Sequence, residues 1–271
     1  MARFSSIILA GERPGGSPLS QQFNVEASIM VPVAGKPALQ WAMNAIQQSS
    51  LADAGIICGP TEEIVNKNPD LATLLNHPDH QWLAQSNGPA ASALSALRKL
   101  NQYPALLTAG DHALLTGEII DDFCQQTLAK NETSSYDFII GFVPYGLVQS
   151  AWPDSKRTVL RFSDGRFCGS NLFAVLNPDG LRALKFWQKA EADRKRPWRI
   201  ASRFGLIALL RYFFRSLTLD ETLQALSQAS GCHIGYVPLD FARAAVDVDS
   251  IEDQKLADTI LSCQEAKGSV K

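Results

Sequence analysis

The stretch Ile7-Ile8-Leu9-Ala10-Gly11-Glu12-Arg13-Pro14-Gly15-Gly16 decides the fold class. Its opening apolar run is what a strand buried on both faces of a sheet looks like. The run then breaks into glycine and proline, the punctuation of a loop. Glycines lack a Cβ, so backbone N–H groups in such a loop can come close to an anion such as a phosphate. Arg13 adds a fixed positive charge beside them. The plainer alternative is an ordinary strand–helix turn with Arg13 solvated. A second segment, Val31-Pro32-Val33-Ala34-Gly35-Lys36-Pro37-Ala38-Leu39, closes the loop region.

Working outward, the same rhythm repeats. Residues 4–10 predict a strand and 11–30 a loop. Residues 37–48 predict a helix, with Leu39, Ala42, Met43 and Ile46 on one face and Pro37 at its start. Residues 54–60 predict a strand stopped by Gly59-Pro60, followed by a helix from Thr61. Asn87-Gly88-Pro89 predicts a turn and 90–100 a small-residue helix. Residues 104–109 predict a buried strand running into Gly110-Asp111-His112, 119–130 a helix, and 136–143 a strand. This alternation implies a Rossmann-like α/β fold, a mostly parallel, mixed sheet covered by helices on both faces.

After residue 144 the pattern changes. Residues 157–169 predict a hairpin around Asp164-Gly165, and 171–175 a further strand. Residues 178–229 read as mainly helical, 235–238 as a late strand, and a terminal helix opens at Ser250. The expected organisation is one domain over 1–271. Residues 1–145 form its nucleotide-binding half, 146–243 a hairpin and helical insert for an acceptor, and 244–271 a metal-site segment with the terminal helix.

The chain has 271 residues, 46 % of them hydrophobic, enough for a large core, and a formal charge of −2, which demands no nucleic-acid or anionic-membrane partner. Five scattered cysteines without a C-x-x-C pair predict reduced thiols in a cytoplasm rather than disulfides or structural zinc. No apolar run reaches the ~20 residues of a membrane span. The cluster Arg194-Lys195-Arg196 reads as a solvated face, or as a site for a phosphorylated acceptor or lipid surface. The neighbouring stretch 209–215 reads as a core face through Leu210, Phe213, Phe214 and Leu217, or as a membrane-lying helix; no membrane contact is expected.

The two opening segments resemble the MobA-like nucleotidyltransferases, which read Leu-Ala-Gly-Gly, a loop with an Arg, then Pro-Val-x-Gly-Lys-Pro. Asn87-Gly88-Pro89-Ala90-Ala91-Ser92 sits where that family carries a Gly-rich stretch and a Ser near the base. Leu107-Thr108-Ala109-Gly110-Asp111 is similar to its strand-ending Gly-Asp segment, whose Asp holds a divalent metal. Val246-Asp247-Val248-Asp249-Ser250-Ile251-Glu252-Asp253 is similar to its late Asp-x-Asp segment.

The resemblance implies a nucleotide-diphospho-sugar transferase fold and a magnesium-dependent nucleotidyltransferase. Its partners would be a nucleoside triphosphate and an unidentified small-molecule acceptor. It assigns catalytic roles to Arg13, Asp111 and Asp249, Mg2+ to Asp111 and Asp249, and nucleotide contacts to Leu9, Ala10, Gly11, Gly15, Gly16, Gly88, Ser92 and Asn171.

Each residue also has a structural reading. Asp111 can cap a turn, Asp249 can answer a helix dipole, Ser92 can be a packing residue, Asn171 a turn residue and His112 a core histidine. Asp247 and Asp249 alternate, so in an extended segment only one faces the site; Asp249, just before the helix, is favoured. One departure stands out. Ser28 occupies the position of a phosphate-contacting Lys, with Arg13 or Lys36 available to compensate. That substitution motivates an alternative, a nucleotide-binding protein without turnover. A glycosyltransferase using a nucleotide sugar is a third reading, opposed by Asp111-His112-Ala113 where an Asp-x-Asp pair is expected.

Overall fold

The computed structural model describes residues 2–13, 15–193 and 217–268. The cluster Arg194-Lys195-Arg196 and the stretch 209–215 lie outside the described residues. The strands are β1 (Phe4–Leu9), β2 (Pro32–Val33), β3 (Lys36–Pro37), β4 (Ala52–Gly59), β5 (Gln81–Ala84), β6 (Ala105–Ala109), β7 (Phe138–Pro144), β8 (Leu160–Arg161), β9 (Arg166–Val175) and β10 (Ile234–Pro238). The helices are α1 (Pro18–Gln22), α2 (Ala38–Gln48), α3 (Glu62–Lys67), α4 (Pro69–Leu75), α5 (Pro89–Leu100), α6 (Gly117–Thr133), α7 (Tyr145–Ala151), α8 (Leu181–Ala192), α9 (Leu219–Ser230) and α10 (Ile251–Gly268).

The main sheet has the order β10-β7-β9-β6-β1-β4-β5, with β8 paired to β9. β1 runs parallel to β4 and β6, β4 to β5, and β10 to β7. Among the described strands of this sheet, β9 alone runs in the opposite sense, antiparallel to both β6 and β7. The sheet is therefore mostly parallel and mixed, as the alternation predicts.

The period of two along the strands feeds two cores. Phe4, Ile8, Ile57 and Leu106 join Leu39, Met43, Ile46 and Phe123 on the face of α2 and α6. Ile7, Ile56, Cys58 and Leu107 join Leu94, Leu97, Leu184 and Leu223 on the face of α5, α8 and α9. Each such fully buried aliphatic side chain contributes about 1.5–3 kcal/mol over an exposed one. Among the described residues no helix is long and apolar enough to cross a membrane.

Several elements differ from the sequence reading. Residues 11–30, read as a loop, contain α1 and a 3-10 turn at Ser28–Met30. The start of α1 is a capping box in which Ser17 and Ser20 cap each other, with Ser20 at the place where Glu or Gln usually stands. Thr61 is the N-cap residue of α3, but its side chain makes no capping bond. α4 is started instead by Asn68, whose Oδ1 accepts from the Leu71 N–H at 2.9 Å. The short strand β5 carries no clear alternation and is placed by pairing with β4. α7 follows β7 directly where no helix was read. The predicted strand at 171–175 is the second half of β9, which is also the return strand of the hairpin at Asp164-Gly165.

Candidate active site

The carboxyl ends of β1, β4 and β6 lie side by side, the edge at which open α/β sheets bind ligands. The Ala10 N–H donates to the Cys58 carbonyl at 2.7 Å, and the Gly110 N–H donates to the Leu9 carbonyl at 2.8 Å. Leu9, Ala10 and Gly11 thus end in register with Ala109 and Gly110. The loop beyond turns tightly: the Gly16 N–H donates to the Arg13 carbonyl at 3.0 Å. Gly15 and Gly16 sit at φ +86° and +78°, where a side chain is strained. Arg13 is exposed at the tip.

Asp111 leaves the end of β6. Its carbonyl accepts from the Val248 N–H at 3.0 Å, which ties the late segment 246–249 to the strand end. Oδ1 of Asp111 is buried and has no hydrogen-bond partner among the described residues. Burial, then the charges of Asp247, Asp249 and Glu12, push this carboxyl up to about 8. Burial also raises Asp249, as do Asp247 and Asp253, while Arg13 and Arg157 lower it. Of the three residues assigned catalytic roles, Asp249 therefore lies within electrostatic reach of both Asp111 and Arg13, and Asp247 and Glu12 lie within reach of Asp111.

Asp247 is held in a separate network. Arg157, with a side chain only 6 % exposed, reaches Asp247 Oδ1 from Nη1 at 3.4 Å and pairs with Asp253 through Nη2. Asn171 Nδ2 donates to Asp247 Oδ2 at 3.0 Å. Asn171 is not at a strand end as read. It lies inside β9, where the pairing with β7 shifts register, at φ +54°. That bulge aims its side chain at the site. Asp253 also closes the start of α10, its Oδ2 accepting from the Ser250 N–H at 3.1 Å. No hydrogen bond among the described residues engages the Asp249 carboxylate. A cavity of about 1100 Å³ opens beside these groups, lined among others by Trp152, Lys156, Arg157, Asn171, Asp247 and Asp249.

Other residues singled out from sequence stand further back. The Ser92 hydroxyl accepts from the Ser86 N–H at 2.9 Å and shapes the turn before α5. Gly88 starts α5 at φ +98°. That turn reaches the loop through Gln85, whose Oε1 accepts from the Glu12 N–H at 2.6 Å and whose Nε2 donates to the Glu12 carbonyl at 2.7 Å. His112 is fully buried, and burial pushes its pKa down. Lys36 sits over the Trp41 ring, its Nζ 4.4 Å from the centroid. The sequence does not signal the contacts of Glu12 with Ser28 and Gln85, or of Arg157 with Asp247 and Asp253, because those partners lie far apart in the chain.

Residues 7–141 match the model of the MobA-like NTP transferase domain. The chain belongs to the MobA-like NTP transferase family. A hypothetical transferase from Thermus thermophilus superposes with a TM-score of 0.74 at 25% identity, over 93% of this chain and 99% of that one. The 4-diphosphocytidyl-2C-methyl-D-erythritol synthase of Anaerococcus prevotii shares the fold at TM-score 0.55 and 11% identity, over 96% of each chain. So does a CMP:2-keto-3-deoxy-manno-octonic acid synthetase solved with CTP, at TM-score 0.57 and 9% identity, over 97% of this chain and 100% of that one. The MobA-like chain therefore has the nucleotide-diphospho-sugar transferase fold. A search of curated protein sequences found no match.

Proposed function

We propose that this chain is a magnesium-dependent nucleotidyltransferase that moves a nucleoside monophosphate from a nucleoside triphosphate to a phosphorylated or hydroxyl acceptor. An acceptor oxygen bonds to the α-phosphorus, the α–β bridging P–O bond breaks, and its electron pair leaves on pyrophosphate. A hydroxyl acceptor gives up its proton to solvent; a phosphate dianion has none to lose. The observation that carries the reading is the electrostatic linkage of Arg13, Asp111 and Asp249 at one sheet edge, around a buried carboxylate oxygen with no hydrogen-bond partner among the described residues.

That orphan oxygen is also the fit test for the metal. A buried carboxylate pressed by three other acids is stabilised by a cation. Among the described residues no three ligand side chains form a ready-made metal centre. Magnesium is suited to such a site, because it takes one or two carboxylates and leaves its other positions to phosphates and water. Asp111 and Asp249 would hold it, since both oxygens of Asp247 already accept hydrogen bonds. When bound, the ion would neutralise charge on the α-phosphate and the departing pyrophosphate.

The residues of the chain do the rest. Arg13 offers charge to the phosphate tail, the ends of β1 and β6 orient it, and the cavity beside Arg157 and Asn171 receives the acceptor. Gly88 and Ser92 shape the turn nearest the base. Five free cysteines fit a cytoplasmic setting.

The test is pyrophosphate release from each nucleoside triphosphate with magnesium and a panel of phosphorylated acceptors, beside nucleotide binding. Release no greater than in Asp111→Ala across the panel would sink the activity. Ser28 favours one second reading, binding without turnover; tight binding without product, and turnover gained by Ser28→Lys, would establish it.

A further inference from the structure

Glu12 is a charged residue only 5 % exposed, and every polar group it carries is engaged inside the loop. Its Oε1 accepts from the Arg13 N–H at 2.7 Å, and its Oε2 accepts from the Ser28 N–H. Gln85 clamps its backbone on both sides. Gly11 makes room for this clamp, since a Cβ there would stand 2.8 Å from Gln85 Oε1.

Convergent backbone N–H groups at the carboxyl edge of an α/β sheet form an anion-binding concavity. Here two of those groups, from separate segments of chain, already hold an anion, and it is part of the protein. Its charge also reaches Asp111.

We propose that Glu12 is the specificity-determining residue for phosphate-chain length. Its carboxylate occupies the amides of Arg13 and Ser28 that a terminal phosphate would take, so the loop resists a long polyphosphate. This rests on the reading that a nucleotide docks on this loop. Arg13 and a cation at the acidic cluster would still hold the phosphate chain, while its terminal phosphate must displace Glu12 or turn away from it.

The experiment is calorimetric titration of the wild-type chain, Glu12→Gln and Glu12→Gly in magnesium. The probes are tripolyphosphate, orthophosphate, and the tri- and monophosphates of the four common nucleosides. Glu12→Gln keeps shape and one amide acceptor while dropping the charge, and Glu12→Gly clears both amides. Melting temperatures check that each variant folds; should Glu12→Gly unfold, Glu12→Gln carries the test.

The expected result is a gain of at least about tenfold for tripolyphosphate and the triphosphates in the variants, the scale of losing a charge-assisted competitor. Affinity for orthophosphate and the monophosphates should change far less. An unchanged triphosphate-to-monophosphate ratio in all three proteins overturns the proposal and leaves nucleotide docking intact. Equal loss of all ligands from folded variants overturns it too, and makes Glu12 a scaffold residue. Binding of no nucleotide by any of the three removes the docking reading and the proposal together.

Discussion

The two walls of the site are built by different means. The wall around Leu9, Gly110 and Asp111 is set by backbone: parallel strands end in register, and the side chains follow from where those strands stop. The wall around Arg157, Asn171, Asp247 and Asp253 is set by side chains that cross-link a loop, a bulged strand and a helix start. The first can carry an uncompensated carboxylate because the sheet beneath it holds it in place. The second keeps its charges paired, because the pairing is what holds its segments together.

The sharpest way to break this comparison is to remove charge from the backbone-set wall. Asp111→Asn keeps the shape. If the reaction is nucleotidyl transfer, pyrophosphate release should fall at least about a hundredfold. Stability of the metal-free protein should move the other way. The Asp111 carboxyl rises from 3.8 to about 8 on folding. Between those pH values the unfolded chain releases the proton while the folded chain keeps it, so wild-type stability declines as pH rises through that range. Asp111→Asn should flatten that decline, read by urea unfolding in chelator. Equal slopes in the two proteins would mean that Asp111 is not strained in the fold.

On the other wall the same kind of change should do the opposite. Arg157→Met leaves Asp247 and Asp253 facing each other without their cation. Breaking a buried pair from one side costs about 3 kcal/mol, which urea unfolding at pH 7 would register. If the loss is near zero, the segments around the cavity are held by packing, and the contrast between the walls falls.

The same division explains what could be read from the sequence. Ile7-Ile8-Leu9, Leu106-Leu107 and the Gly-Asp at 110–111 announce strands and their ends through local pattern, because a strand buried on both faces must be apolar throughout. The position of Asp249 just before α10 was legible as well. The antiparallel passage of β9 was not, since its two halves read as separate strands and only the shift opposite Gly141 joins them. Arg157 looked like part of a strand because its partners are 90 and 96 residues away. Glu12 carries no local signal, because nothing beside it in sequence says that Ser28 and Gln85 will fold over it.

A control lies at the opposite edge of the sheet, away from both walls. His80 precedes β5 and is buried, and burial, then the charge of His77, hold it down to about 4 from 6.5. Neutral His80 contributes stability that is fully present above about 6.5 and is lost as pH falls toward about 4. His80→Gln should remove up to about 3 kcal/mol of that acid loss and leave nucleotide binding at pH 7 untouched. A binding change there would show that the two edges are coupled, against a site built only at the carboxyl ends.

The smallest effect probes the loop between β1 and α1. Gly15 and Gly16 both sit at positive φ, but their surroundings differ. A Cβ at Gly15 would meet nothing within 4 Å among the described residues, whereas one at Gly16 would stand 3.1 Å from Ser20 Oγ. Gly15→Ala therefore isolates the backbone cost of a left-handed alanine, about 1 kcal/mol. Gly16→Ala adds a contact with the hydroxyl that completes the capping box of α1, so its melting temperature should fall further. The order matters more than the size. Should Gly15→Ala be the worse of the two, the loop is shaped by something that packs on Gly15, and the account of Arg13 as a free tip over an open edge fails with it.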